Sequence, residues 1–189
     1  MPEHKDEAPE SHPTALRWIL PLLFIVLIVT LGYLIYPMLK PSQGSDIIMN
    51  IINLRSESDT LTRSELVTQT DEMVRGTDDR ALIGQWTVLT QCMPTGCDDS
   101  EFFNFIALIS QQLDVPNSVL IQNMIATYKY WGTDEIVRFS KAMTTVTRSI
   151  EDTYSRSLEE KWKTIVSCDG TCPEENDLFF QAIEIAVEL

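Results

Sequence analysis

The chain of 189 residues carries 14 Lys and Arg against 28 Asp and Glu, a formal net charge of −14. That balance excludes nucleic-acid binding through phosphate neutralisation, which needs clustered cations. The length allows one modest folded domain rather than two large ones, and 7 Gly with 9 Pro exclude a low-complexity chain. A mean hydropathy of −0.04 averages two unlike parts, an uncharged apolar run and an acidic remainder.

Residues 1–16 form a short acidic leader with Glu3, Asp6, Glu7 and Glu10. Trp18 to Leu39 then reads WILPLLFIVLIVTLGYLIYPML without a charge. As a helix this run would be about 33 Å long, against a hydrocarbon core of about 30 Å. It predicts a transmembrane helix over 17–39, bracketed by Arg17 and Lys40, with Trp18, Tyr33 and Tyr36 at the headgroup levels. A cleaved signal peptide would have a shorter core, a basic start and a small-residue cleavage site. The leader is acidic and no such site follows, so the run reads as a retained signal-anchor. Lys5 and Arg17 on one side, Lys40 and Arg55 on the other, leave the positive-inside rule nearly balanced.

Residues 40–45, with Pro41–Ser45 reading PSQGS, form a predicted linker. From there the periodicity is helical. Asp46–Leu54 offers the stripe Ile47, Ile48, Ile51 and Ile52, and Leu61–Arg75 offers Leu66, Val67, Met73 and Val74. Gly76 ends that helix and Thr77 is the predicted N-cap of the next, which carries Leu82, Trp86 and Leu89. The first cysteine pair, Cys92 and Cys97, brackets a turn with Pro94 and Gly96. Ser100–Leu113 carries Phe102, Phe103, Ile106 and Ile109. After Pro116 comes a helix with Val119, Leu120, Met124, Ile125, Tyr128 and Trp131. Asp134–Ser167 is the longest periodic stretch, stepping by three or four from Ile136 through Phe139, Met143, Val146, Ile150, Tyr154, Leu158 and Trp162 to Ile165. That pattern predicts one long amphipathic helix. The second pair, Cys168 and Cys172, precedes a last helix with Leu178, Phe179, Ile183 and Val187. Alternation of the strand type is missing, so the predicted class is all-α: a single transmembrane helix followed by a helical bundle.

The two cysteine segments resemble each other. WTVLTQCMPTGCDDSEFF from Trp86 and WKTIVSCDGTCPEENDLFF from Trp162 share Trp, Cys, Cys, acids and Phe-Phe in the same order. At an offset of 76 residues Ser64 matches Ser140, Thr77 matches Thr153, Arg80 matches Arg156 and Leu82 matches Leu158. The reading is an internal repeat of roughly 62–113 and 138–189, giving a domain over 46–189 built from two similar halves. Trp86, Trp162, Phe102, Phe103, Phe179 and Phe180 are expected as core packing, because they lie in phase with the apolar stripes.

Four cysteines permit three connectivities. The leading expectation is a structural disulfide in each turn, Cys92 with Cys97 and Cys168 with Cys172. Cross-pairing, a four-thiolate metal site and a redox dithiol are the alternatives, with spacings looser than the usual zinc and thioredoxin-type signatures. Structural bridges place the domain in an oxidising space, so the expected localisation is a single-pass membrane protein with a cytosolic N-terminus and an extracytoplasmic C-terminal domain.

Catalytic motifs are missing from the sequence. Both histidines, His4 and His12, lie in the leader, and no nucleophile elbow or phosphate loop occurs. Acids gather at the cysteine turns, where they suit helix N-termini or a basic partner surface. The resulting expectation is a non-enzymatic, membrane-anchored structural, accessory or scaffold subunit of a membrane-associated or envelope assembly. Its partners would be the lipid bilayer and other proteins, without nucleic acid, metal or cofactor. The alternatives are a tethered thiol-disulfide or metal-handling protein, or a helical sensor with an apolar pocket between the halves.

Overall fold

The Ile47, Ile48, Ile51, Ile52 stripe is spaced so that one helical face is apolar, and it is buried. In the computed structural model, which describes residues 24–30, 42–131, 133–168 and 175–189, all regular structure is helical and no described residue is in a strand. The chain divides into two units, Met1–Pro41 and Ser42–Leu189, each described by itself.

In the first unit residues 24–30 are helical (α1). This corrects the expected localisation. Among the described residues no helix is long and apolar enough to cross a membrane. The single-pass signal-anchor, and with it the cytosolic and extracytoplasmic assignments, is therefore not supported. Arg17, Trp18, Tyr33, Tyr36 and Lys40 lie outside the described residues.

The second unit contains α2 (Gln43–Ser56), α3 (Thr60–Gly76), α4 (Arg80–Cys92), α5 (Asp99–Gln112), α6 (Ser118–Tyr130), α7 (Ile136–Glu151), α8 (Arg156–Ser167) and α9 (Glu175–Glu188). The predicted linker is shorter than expected. Ser42 N-caps α2, accepting from the Ser45 amide, and the helix starts at Gln43. Gly44 lies against the loop after α5, where an added Cβ would stand 2.5 Å from Val115 Cγ2. The absence of a side chain is what lets the two backbones meet.

Four helices form the centre. α2 touches α5 and α9, and α6 touches α5 and α9, so the four pack in a closed cycle. The hairpin of α3 and α4 packs on α2 and α5, and the hairpin of α7 and α8 packs on α6 and α9. Phe103 of α5 stacks on Phe180 of α9 with centroids 4.1 Å apart and meets Tyr128 of α6 at a tilt, with centroids 4.2 Å apart. Trp86, Trp162, Phe102, Phe103, Phe179 and Phe180 are all buried.

The long helix predicted over 134–167 is two helices. α7 ends at Glu151 and α8 starts at Arg156, with Tyr154 between them at φ 55° and fully in solvent. The cause is local. The Thr153 hydroxyl donates to the Ile150 carbonyl and accepts from the Ser155 amide, while Ser155 Oγ caps the Leu158 amide. The break between α3 and α4 is built the same way 76 positions earlier. The Thr77 hydroxyl donates to the Val74 carbonyl and accepts from the Asp79 amide, Asp79 caps Leu82, and Asp78 has φ 55°. The N-cap of α4 is thus Asp79, two residues beyond the predicted Thr77. Short polar side chains compete with the helix ladder for backbone groups, which ends the helix despite a continuing apolar period. Val119 and Ile136, expected in apolar stripes, are exposed.

Candidate functional site

Cys92 and Cys97 are joined by a disulfide, with Cα atoms 5.0 Å apart. α4 ends at Cys92 and Asp98 caps α5 by accepting from the Ser100 amide, so the bridge closes the corner of a helical hairpin. Both sulfurs of the first turn are consumed locally, which excludes their pairing with the second turn and a site of four thiolates. Cys168, the C-cap of α8, is also disulfide-bonded. Cys172 lies outside the described residues.

At the N-terminal ends of α5 and α9 a cationic clamp gathers acids. Arg55, at the end of α2, gives Nε to Asp99 Oδ1 at 2.6 Å and Nη2 to Asp99 Oδ2 at 3.1 Å, and its Nη1 pairs with Asp177 at 2.5 Å. Asn176 Nδ2 donates to the same Asp99 carboxylate, and the Arg55 guanidinium lies 4.3 Å over the Phe180 ring. Burial lowers the affinity of Arg55 for its proton, but hydrogen bonds to Asp99 and Asp177 and their charges outweigh it, so its pKa is raised. Part of the acidic pole expected at the cysteine turns is therefore neutralised inside the fold. Asp98 and Glu101 belong to the first turn and to α5, while Asp169 and Glu174 lie outside the described residues.

An open groove lies elsewhere in the domain. A groove of about 680 Å³ runs along α7, walled by the end of α6 and by α8. Its apolar lining is Trp131, Ile136, Phe139, Met143 and Val166, and Arg148 and Glu151 stand at its C-terminal end. It sits within the second half, not between the halves as a sensor pocket was expected to be. Trp131 packs edge-on against Phe139 at 5.1 Å and Phe179 at 5.6 Å. Its Nε1 is buried and has no hydrogen-bond partner among the described residues, a defect costing about 1–3 kcal/mol. Sequence periodicity placed Trp131 in the core stripe of α6 and gave no sign of either feature.

The corresponding place in the first half is built differently. Trp86 Nε1 donates to Asp71 Oδ1 at 3.0 Å, and Asp71 pairs with Arg75 at 2.7 Å. The hydrogen bond from Arg75, above all, holds the Asp71 carboxyl below the usual carboxylate range; desolvation opposes it, and the Trp86 bond and the charge of Arg75 add to the lowering. In the second half Trp162 Nε1 donates to the Thr147 hydroxyl, also at 3.0 Å, and that hydroxyl donates to the Met143 carbonyl. Positions 71, 72 and 75 carry Asp, Glu and Arg, while 147, 148 and 151 carry Thr, Arg and Glu. Arg148 and Lys141 form no ion pair among the described residues.

No protein-family model, curated protein or solved structure matches the chain.

Proposed function

We propose that the 42–189 region is a non-enzymatic scaffold or accessory domain of a larger protein assembly, built from two related four-helix units. The observation that carries this reading is the recurrence of one local architecture at an offset of 76 residues. Thr70 and Val74 are the buried positions of α3, and Val146 and Ile150 those of α7. Leu82, Trp86 and Leu89 correspond to Leu158, Trp162 and Ile165. The four-helix count extends the repeat beyond 62–113 and 138–189, because α2 stands to α5 as α6 stands to α9. Such a unit buries its apolar faces against its twin and holds its hairpin corners with disulfides. The product is a rigid body suited to presenting surfaces, and among the described residues no nucleophile is seen paired with a base.

The competing reading is a thiol-disulfide protein, favoured by the same cysteine pairs. Mass mapping of the non-reduced chain separates the two. A Cys92–Cys97 bridge that resists mild reductant, with the full chain recovered from native cells in a stoichiometric protein complex, supports the scaffold. A bridge that cycles with a thiol substrate, in a chain recovered alone, overturns it.

A further inference from the structure

The two halves touch through residues that correspond to one another. A shift of 77 (Phe102 to Phe179) carries the six buried positions of α5, which end at Ser110, onto buried positions of α9, which end at Val187. A shift of 73 (Ile47 to Leu120) carries the buried stripe of α2 that ends at Leu54 onto the buried stripe of α6 that ends at Thr127. On this register Phe103 and Phe180 are twins, and they stack on each other with centroids 4.1 Å apart and an interplanar angle of 9°. Asp99 and Asn176 are twins, and Asn176 Nδ2 donates to Asp99 Oδ2 at 2.6 Å. Arg55 and Tyr128 are twins as well. The Arg55 guanidinium lies 4.3 Å over the Phe180 ring, and the Tyr128 ring lies 4.2 Å from the Phe103 ring. Twins in contact with each other, flanked by a reciprocal pair, are the pattern that a twofold axis imposes on an interface. The axis passes between α5 and α9, and α2 and α6 exchange places about it.

We propose that the face joining the halves is an isologous interface open to a second copy of this chain: two copies exchange halves, so that α2–α5 of one packs on α6–α9 of the other. This goes beyond the scaffold reading. An exchanged dimer repeats every contact of the closed chain except those of the connection between the halves. That connection is the five residues Leu113–Asn117. It contains Pro116, turns through Asn117 at φ 52°, and packs against Gly44 of α2. A short connection held in one bend is the kind that favours exchange. The pairing is between unlike halves. Two first halves would set Asp99 against Asp99 on the axis, whereas unlike halves set it against the Asn176 amide. Arg55 adds to this choice, because its partner Asp177 belongs to the other half and its twin Tyr128 has no charge. Pairing of unlike halves closes after two copies. The net charge of −14 on each chain opposes association, so the closed chain is the dilute form and exchange takes place when chains refold together at high concentration.

The test uses two full chains with their disulfides intact, one carrying Arg55→Glu and the other Asp177→Arg. In a closed chain either substitution puts like charges where Arg55 meets Asp177. In an exchanged heterodimer one interface unites both substitutions and the other has neither, so opposite charges meet at both. The chains are unfolded in urea, mixed, refolded together and weighed by native mass spectrometry. The expected result is a heterodimer about ten-fold or more above the homodimer of either variant refolded alone, and one that survives dilution because its halves separate only by unfolding. Monomers alone, homodimers as abundant as the heterodimer, or a heterodimer that dissociates on dilution without denaturant would each overturn the proposal. Far-ultraviolet circular dichroism checks that each variant is helical. Where one is not, the parent chain is refolded with an isotope-labelled copy of itself. A dimer of mixed mass that survives dilution then upholds the proposal, and its absence overturns it. The scaffold reading stands or falls separately, on the partner complex and on thiol cycling.

Discussion

Trp162 is 3% exposed and makes one hydrogen bond, to Thr147, across the gap between α7 and α8. Trp162→Ala removes the ring and leaves a cavity, so it should destabilise the domain by about 3–5 kcal/mol, read from chemical denaturation. A midpoint unchanged from the parent would contradict the packing role. Asp71 provides a second test at this scale. Its folded pKa is depressed, so its contribution to stability is present above the unfolded value near 3.9 and is lost as pH falls through the lower folded value. Asp71→Asn keeps an acceptor for Trp86 but removes the charge. Thermal melts of this variant between pH 5 and pH 2 should show a shallower loss of stability on acidification than the parent. The apolar phase of both Trp residues was legible in the sequence, because spacing along one helix fixes a face. Their partners Asp71 and Thr147 were not, since each lies fifteen residues upstream on another helix and only packing brings it near. The indole of Trp131, which lacks a hydrogen-bond partner among the described residues, was invisible for the same reason.

The helices were legible at the scale of elements wherever an apolar stripe met a turn signal, as at Gly76 and at the Cys92 corner. The missed break at Tyr154 shows where periodicity fails. Tyr154 fell in register with the stripe, so the period of 3.6 ran through it, yet the Thr153 and Ser155 side chains divert the backbone. The repeat held the correction: Thr77, Asp78 and Asp79 occupy the matching positions and form an interruption readily seen in the sequence. Tyr154 takes a left-handed conformation that favours Asn or Gly and its side chain is 92% exposed. Tyr154→Asn should therefore raise stability by up to about 1 kcal/mol in urea denaturation, and a loss would show that the phenol makes contacts that matter. The Cys92–Cys97 bridge closes a short loop. Replacing both cysteines with Ser should cost about 2 kcal/mol on the chain-entropy estimate, measured as a lower midpoint with an unchanged slope. A changed slope would mean that the bridge shapes more than its own corner.

Across the whole molecule, the −14 has a structure of its own. Arg55 draws Asp99 and Asp177 together where α2, α5 and α9 meet, the first hairpin keeps its excess acid, and the second is neutral around an open groove. The all-helical class and the likeness of the two cysteine segments were legible in the sequence, because both rest on local pattern. The membrane anchor was read from an uncharged run, and among the described residues no helix meets the length that a crossing requires. The closed cycle of α2, α5, α6 and α9 was not legible, since nothing local states which helices of one half touch the other. In the proposed duplication that cycle is a shared core, so neither half should open alone. Native-state hydrogen exchange on the full chain tests this most directly. The expected result is that the slowest amides of α2, α5, α6 and α9 all exchange through one global opening with the same free energy and denaturant dependence. Two distinct values, one for 42–113 and another for 118–189, would contradict it and make the halves independent domains.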